Sequence, residues 1–174
     1  MVARCAAIRR RGGRGFTLVE AAIAIVVVGV GIVALMHAMA SGTRINSEGQ
    51  AITQAVFVAQ EVREWTMRLP FSDEDPSDAN NPPGPDSQSP QVFVDDLDDL
   101  MEVTYGPPRD GQGVAIADLA GWSQTIHLEW RDPGSLTTAV PDGDSDVVCV
   151  TVDVGRHGRD IHSASWLVTR RQTP

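Results

Sequence analysis

A chain of 174 residues has room for one domain and an appendage, not for a large enzyme of several layers. Its 14 basic residues, all Arg, stand against 23 acidic ones for a net charge of −9. Acidity of that order argues against a general nucleic-acid binder, because phosphate contacts need a basic footprint. The two cysteines, Cys5 and Cys149, exclude a disulfide framework.

The charge is unevenly placed. Residues 1–15 hold Arg4, Arg9, Arg10, Arg11 and Arg14 and no acid, so residues 16–174 carry nine basic against 23 acidic groups, or −14. Directly after this basic leader, Phe16 to Met36 is apolar with Glu20 as its one charged residue. Twenty-one residues in a helix span ~32 Å at ~1.5 Å each, enough for the hydrocarbon core of a bilayer. Arginines crowd before the run, and Arg44 alone follows within the next twenty residues, which places the N-terminus in the cytoplasm and the rest outside it.

A basic leader before an apolar stretch suggests a secretory signal peptide, but two details fit poorly. The run is longer than the usual signal core, and Ala38-Met39-Ala40-Ser41 is the sole candidate cleavage site after it. A carboxylate also sits inside the run at its cytoplasmic end. At full depth it would cost about 2.5–3.5 kcal/mol, less near the interface, so a partner is expected for it.

Gly15-Phe16-Thr17-Leu18-Val19-Glu20, with an Arg-rich leader before it and some twenty apolar residues after, resembles the processing signal of type IV pilins and type II secretion pseudopilins. The resemblance implies that a membrane-embedded prepilin peptidase cuts after Gly15, leaves the apolar segment attached, and methylates the new N-terminal Phe16. It also implies that Glu20, fifth in the mature chain, pairs with the Phe16 ammonium of a neighbouring subunit and sets the stagger of subunits in a filament. Elementary chemistry agrees: Gly offers no side chain to obstruct a protease, a helix start favours negative charge, and an ammonium offsets the burial of a carboxylate.

Farther along, Ile45, Ile52, Val56, Ala59, Val62, Trp65 and Leu69 recur at spacings of three, four and seven, predicting an amphipathic continuation of the helix until Pro70 stops it. The expected organisation is therefore a leader at 1–15, a transmembrane and filament-core helix at 16–40, and an amphipathic half at 41–69. Residues 70–100, with six prolines and nine acids but no base, predict an exposed, partly mobile loop. Its end, Asp95-Asp96-Leu97-Asp98-Asp99, reads as a solvated acidic turn, with a cation site as the sharper alternative. Residues 101–174 predict an antiparallel sheet domain. Strands are read over Leu100–Tyr105, Thr125–Trp130, Val147–Val154 and Ile161–Thr169, with a hairpin loop at Gly155-Arg-His-Gly158. A long helix packed on such a sheet is an α+β, pilin-like arrangement.

No catalytic constellation emerges. His37, His127, His157 and His162 are scattered, and no nucleophile elbow, phosphate loop or paired-cysteine motif is present. Asp142-Gly-Asp144-Ser-Asp146 imitates the start of a Ca²⁺-binding loop but has Val147 at the sixth position and Asp153 at the twelfth, so Asp142, Asp144 and Asp146 are weak metal candidates and no cofactor is expected. The leading expectation is a structural subunit and not an enzyme: a minor pilin or minor pseudopilin whose partners are prepilin peptidase, other pilins or pseudopilins and an inner-membrane assembly platform. It would be anchored in the inner membrane with its sheet domain in the periplasm. The alternative is a membrane-tethered binding module, tip adhesin or DNA-uptake pilin, for which the sole basic cluster outside the leader is Arg156, Arg159, Arg170 and Arg171.

Overall fold

The computed structural model describes residues 15–72, 83–85 and 93–170. The chain divides into two compact units, Met1–Ser47 and Glu48–Pro174. One helix, α1 (Leu18–Arg68), is followed by strands β1 (Val103–Tyr105), β2 (Trp122–Asp132), β3 (Ser135–Ala139), β4 (Val147–Arg156) and β5 (Arg159–Thr169). The strands form one antiparallel sheet in the order β1-β2-β4-β5, with β3 paired to the end of β2. This is the α+β, pilin-like architecture expected from the sequence. Of the basic leader, only Gly15 lies among the described residues, as do only 70–72, 83–85 and 93–100 of the loop expected to be exposed and mobile.

The alternation read in the strands sets the sheet's two faces. Ile126, Leu128 and Trp130 of β2 and Val148, Val150, Val152 and Val154 of β4 are all buried, and the register pairs Ile126 with Val152 and Trp130 with Val148. Cross-strand β-branched and aromatic pairs of this kind are the unit of sheet stabilisation. Their outward neighbours Thr125, His127, Glu129, Thr151 and Asp153 face the other way. The elements differ from the sequence reading in several places: β2 and β5 are longer, running Trp122–Asp132 and Arg159–Thr169. Leu100 closes a short 3₁₀ turn instead of opening a strand, because Glu102 takes a φ of 55° and breaks the extended run before Val103. β3 escaped notice because all five of its residues are exposed and show no alternation. The β4–β5 loop narrows to His157-Gly158, with φ of 51° and 75°, the geometry of the two-residue turn that matches strand twist.

The part of α1 within the second unit buries Ala55, Val58, Ala59, Val62, Trp65 and Thr66 in the core it shares with the sheet. The sequence reading is corrected here: Ile45, Ile52 and Val56 are exposed, and the buried stripe runs through Ala55 and Val58 instead. At about 100° per residue the seven expected positions fall on two adjacent lines, Ile45-Ile52-Val56 and Ala59-Val62-Trp65-Leu69, and the sheet covers only the second. Ala55 and Ala59 let the helix lie close. Beyond apolar contact, the Trp166 indole N–H donates to Thr66 Oγ1 at 3.1 Å, and the Gly111 N–H donates to Glu61 at 2.7 Å. Pro70, lacking an N–H, ends the helix; its carbonyl accepts from Leu97 N–H at 3.0 Å and closes the base of the acidic excursion.

The loop between β1 and β2 reaches α1 through Gly113, whose φ is +77° and where a β-carbon would lie 2.9 Å from the Trp65 ring. Gly113→Ala should therefore lower stability by about 1–3 kcal/mol, combining backbone strain with overpacking. Gly49→Ala, where nothing lies within 4 Å, serves as the control. Thermal unfolding followed by tryptophan fluorescence checks this; equal melting of the two variants would contradict the packing described.

Candidate functional site

In the first unit, Gly15, Phe16 and Thr17 precede α1, which opens at Leu18. Thr17 caps the helix: its Oγ1 accepts the Glu20 backbone N–H at 3.2 Å, and its carbonyl accepts Ala21 N–H at 3.1 Å. Thr17-x-x-Glu20 has the spacing of a capping box, a signal the sequence reading passed over. The cap fixes Glu20 as the third helical residue, in the turn where the backbone amides favour a negative charge. No cation pairs with the Glu20 carboxylate among the described residues.

The surface around this carboxylate is apolar and uncovered. Phe16 is 75% exposed and Leu18 88%, and Val19, Ile23, Ile25, Val26, Val27, Val28 and Val30 are likewise exposed. An 18-residue window of α1 is apolar enough to cross a membrane, and none of it is buried within the protein. Such a surface in water would be an aggregation liability of several hundred Å² or more. In lipid it is ordinary. Gly15, Gly29, Gly31 and Gly42 have no atom within 4 Å of where a β-carbon would stand, so packing within the chain does not require glycine at these positions.

A second group of carboxylates behaves differently from the solvated turn expected for Asp95–Asp99. Asp96 is 4% exposed and Asp99 1%, each followed by a leucine, Leu97 and Leu100, that is inserted into the core. Asp96 Oδ1 accepts backbone N–H bonds from Asp98 at 3.1 Å and Asp99 at 3.2 Å, and Asp99 Oδ2 accepts from Asp95 at 3.0 Å. Burial, a side-chain hydrogen bond with Asp98 and the nearby Asp98 charge push the Asp96 carboxyl up to about 8. The sequence could not show this, since the Leu97 and Leu100 side chains that pull the turn inward look like any others in an acidic segment.

The remaining sequence candidates are not gathered into one site. Asp146 pairs with Arg170 at 2.8 Å, while Asp142 and Asp144 stand exposed in the loop before β4. His127 lies on the outer face of β2 with Nδ1 2.8 Å from Glu102 and Nε2 3.4 Å from Asp153. Cys149 is a free thiol, partly exposed on the same face. Among the described residues, no group of three or more His, Cys, Asp or Glu is arranged to hold a metal ion.

Residues 10–36 match the prokaryotic N-terminal methylation motif, a stretch that contains Gly15, Phe16 and Glu20. No curated protein and no solved structure matches the chain. The motif supports the type IV pilin and pseudopilin family, one of structural subunits, and a prepilin-type substrate of prepilin peptidase. With the uncovered apolar helix, it supports anchoring in a membrane.

The Asp96 cluster has a titration signature. Because its pKa is raised from 3.8 to about 8 on folding, the folded state holds a proton that the unfolded state has lost. That contribution is complete below about pH 4 and disappears as pH rises through about 8. Melting temperature should fall between pH 5 and 8.5, and Asp96→Asn, which keeps the Oδ1 acceptor without the charge, should flatten that fall. Parallel profiles for the two proteins would refute the assignment.

Proposed function

We propose that the chain is a precursor of a minor pilin or minor pseudopilin, cut between Gly15 and Phe16, methylated on Phe16, and drawn from the inner membrane into a type IV pilus or a type II secretion pseudopilus. The observation that carries this reading is a membrane-length helix with no apolar cover among the described residues and a single carboxylate, Glu20, in its first turn. Lipid covers the helix before assembly, and the helices of neighbouring subunits cover it afterwards. Cleavage places the new α-ammonium four residues before Glu20, where a neighbour's Phe16 neutralises the carboxylate and defines one axial register. The N-terminus is cytoplasmic and the sheet domain periplasmic.

Gly15 is suited to the cleavage role because nothing in the fold requires its lack of a side chain. The acidic, Pro-rich connection between helix and sheet and the −14 charge of residues 16–174 favour a minor component over a densely repeated one, since identical charges would repel along a filament.

Three measurements test the reading. Mass spectrometry of the purified protein should give an N-terminus at Phe16 bearing one methyl group. Gly15→Leu should accumulate the uncut precursor with an unchanged melting temperature. Mature protein from that variant would overturn the cleavage assignment. Glu20→Ala should insert into the membrane as the parent does yet co-assemble with partner subunits several-fold less. Incorporation at the parent's level would remove Glu20 from the assembly mechanism.

A further inference from the structure

In the second unit, exposed charges of opposite sign that form no ion pair among the described residues stand at the two ends of β4. At one end, the β4–β5 turn sets Arg156 directly across from Arg159 in the ladder. Like charges opposite one another destabilise a strand pair. No carboxylate relieves this pair among the described residues, although the chain as a whole has acids in excess. The turn is also held in place. The Arg156 guanidinium lies over the buried Trp122 ring at 5.3 Å, and His157 N–H donates to the Gly121 carbonyl at 2.8 Å. Gly121 has a φ of +84°, and a β-carbon there would lie 2.6 Å from the His157 imidazole. Two cations are thus presented on a fixed support, with Arg156, His157 and Arg159 all exposed.

Antiparallel pairing of β2 with β4 puts the end of β2 and the start of β4 at the other extremity, where Trp130 faces Val148. Asp142 and Asp144 are exposed there, and no cation pairs with them among the described residues. This loop too is anchored: Ser145 Oγ donates to the Arg131 carbonyl at 2.6 Å and accepts Val147 N–H at 3.0 Å. The ten residues of β4 separate the two ends by roughly 30 Å at ~3.4 Å per residue, so one chain cannot join its own ends.

We infer that the Arg156–Arg159 turn of one copy docks on the Asp142–Asp144 loop of a second copy, an end-to-end contact between sheet domains that selects the neighbour's orientation. The inference rests on the proposal that this chain is an assembling subunit. The two arginines, with Asp160 beside them, leave the turn net positive and the Asp142–Asp144 loop is negative, so opposite ends attract and the pairing favours one direction. Two arginines are too few for a phosphate-tracking surface, where strongly salt-dependent binders use roughly 6–10 contacts. Exposed ion pairs supply little affinity. The apolar helix supplies the affinity, and the charges supply the choice.

The test uses the full chain in membranes of producing cells, with Cys149→Ser as background. Arg159→Cys and Asp144→Cys, placed in separate, differently tagged copies, should give a disulfide-linked dimer, whereas either variant alone should not. Without the cysteines, Arg156→Glu with Arg159→Glu should reduce co-purification of two tagged copies several-fold, as should Asp142→Arg with Asp144→Arg. Mixing a copy carrying the first pair with a copy carrying the second should restore it. Unchanged co-purification after either reversal, or no rescue on mixing, would overturn the contact. So would intact self-association alongside lost binding to anionic phospholipid vesicles or to duplex DNA, which would assign the turn to those ligands. Mass spectrometry of the same samples separates the two levels: a Phe16 N-terminus with no reversal effect defeats this contact alone, and an uncut chain defeats the reading beneath it.

Discussion

An α-helix in a protein normally hides at least one face, and the way α1 meets that requirement changes along its length. From Ala55 to Thr66 the helix buries a stripe against β2 and β4 and gains the usual stabilisation of apolar area removed from water. Over Phe16–Met36 it hides nothing, although these residues are more apolar than those that are buried. The uncovered segment cannot be at rest in water, and this constraint governs where the protein can reside. Lipid and the helices of other subunits are the two surroundings that satisfy it, and the proposed function is a passage from the first to the second.

Two carboxylates in apolar settings illustrate different solutions to one electrostatic problem. Asp96 is enclosed by its own domain, with Leu97 and Leu100 in the core beside it and Asp98 adjacent, and it meets the cost of desolvation by keeping its proton near neutral pH. Glu20 lies outside any enclosure, capped into the first helical turn by Thr17 and surrounded by exposed Val and Ile. In the proposed assembly it meets that cost by acquiring a cation from another chain. The first solution is internal and serves the fold. In that proposal the second leaves a requirement that a partner meets, and so would act as a register mark.

The sheet domain has a comparable division. Its inner face is a ladder of valines against the helix, and its outer face carries hydroxyls, His127 and Asp153. Binding chemistry is not concentrated on either face. Free charge lies at the ends of the strands, where a turn and a loop are held in place by Trp122 and Ser145. In the inferred contact such a domain meets its neighbour end to end, and its sheet stays a passive support.

Much was legible in the sequence because it depends on local pattern or composition. The apolar run, its lone acid and the Gly15-Phe16 junction are contiguous, and the valines of β4 announce their shared face by strict alternation. The same local rule failed on α1, where Ile45, Ile52 and Val56 look as suitable for burial as Ala55 and Val58; only the position of the sheet chose between two neighbouring stripes. It failed again at Asp96, since burial of an acid depends on which leucines beside it reach the core. The opposition of Arg156 and Arg159 required a turn register, and their distance from Asp142 and Asp144 required the antiparallel order of β2 and β4. The sequence by itself determined that this chain carries a membrane-length apolar helix with one acid near its start and a β-rich domain, because periodicity and hydropathy are properties of neighbours along the chain. Tertiary structure alone decided which helix face is covered, which acid is protonated and where the free charges stand, because each of those depends on residues far apart in sequence being brought together.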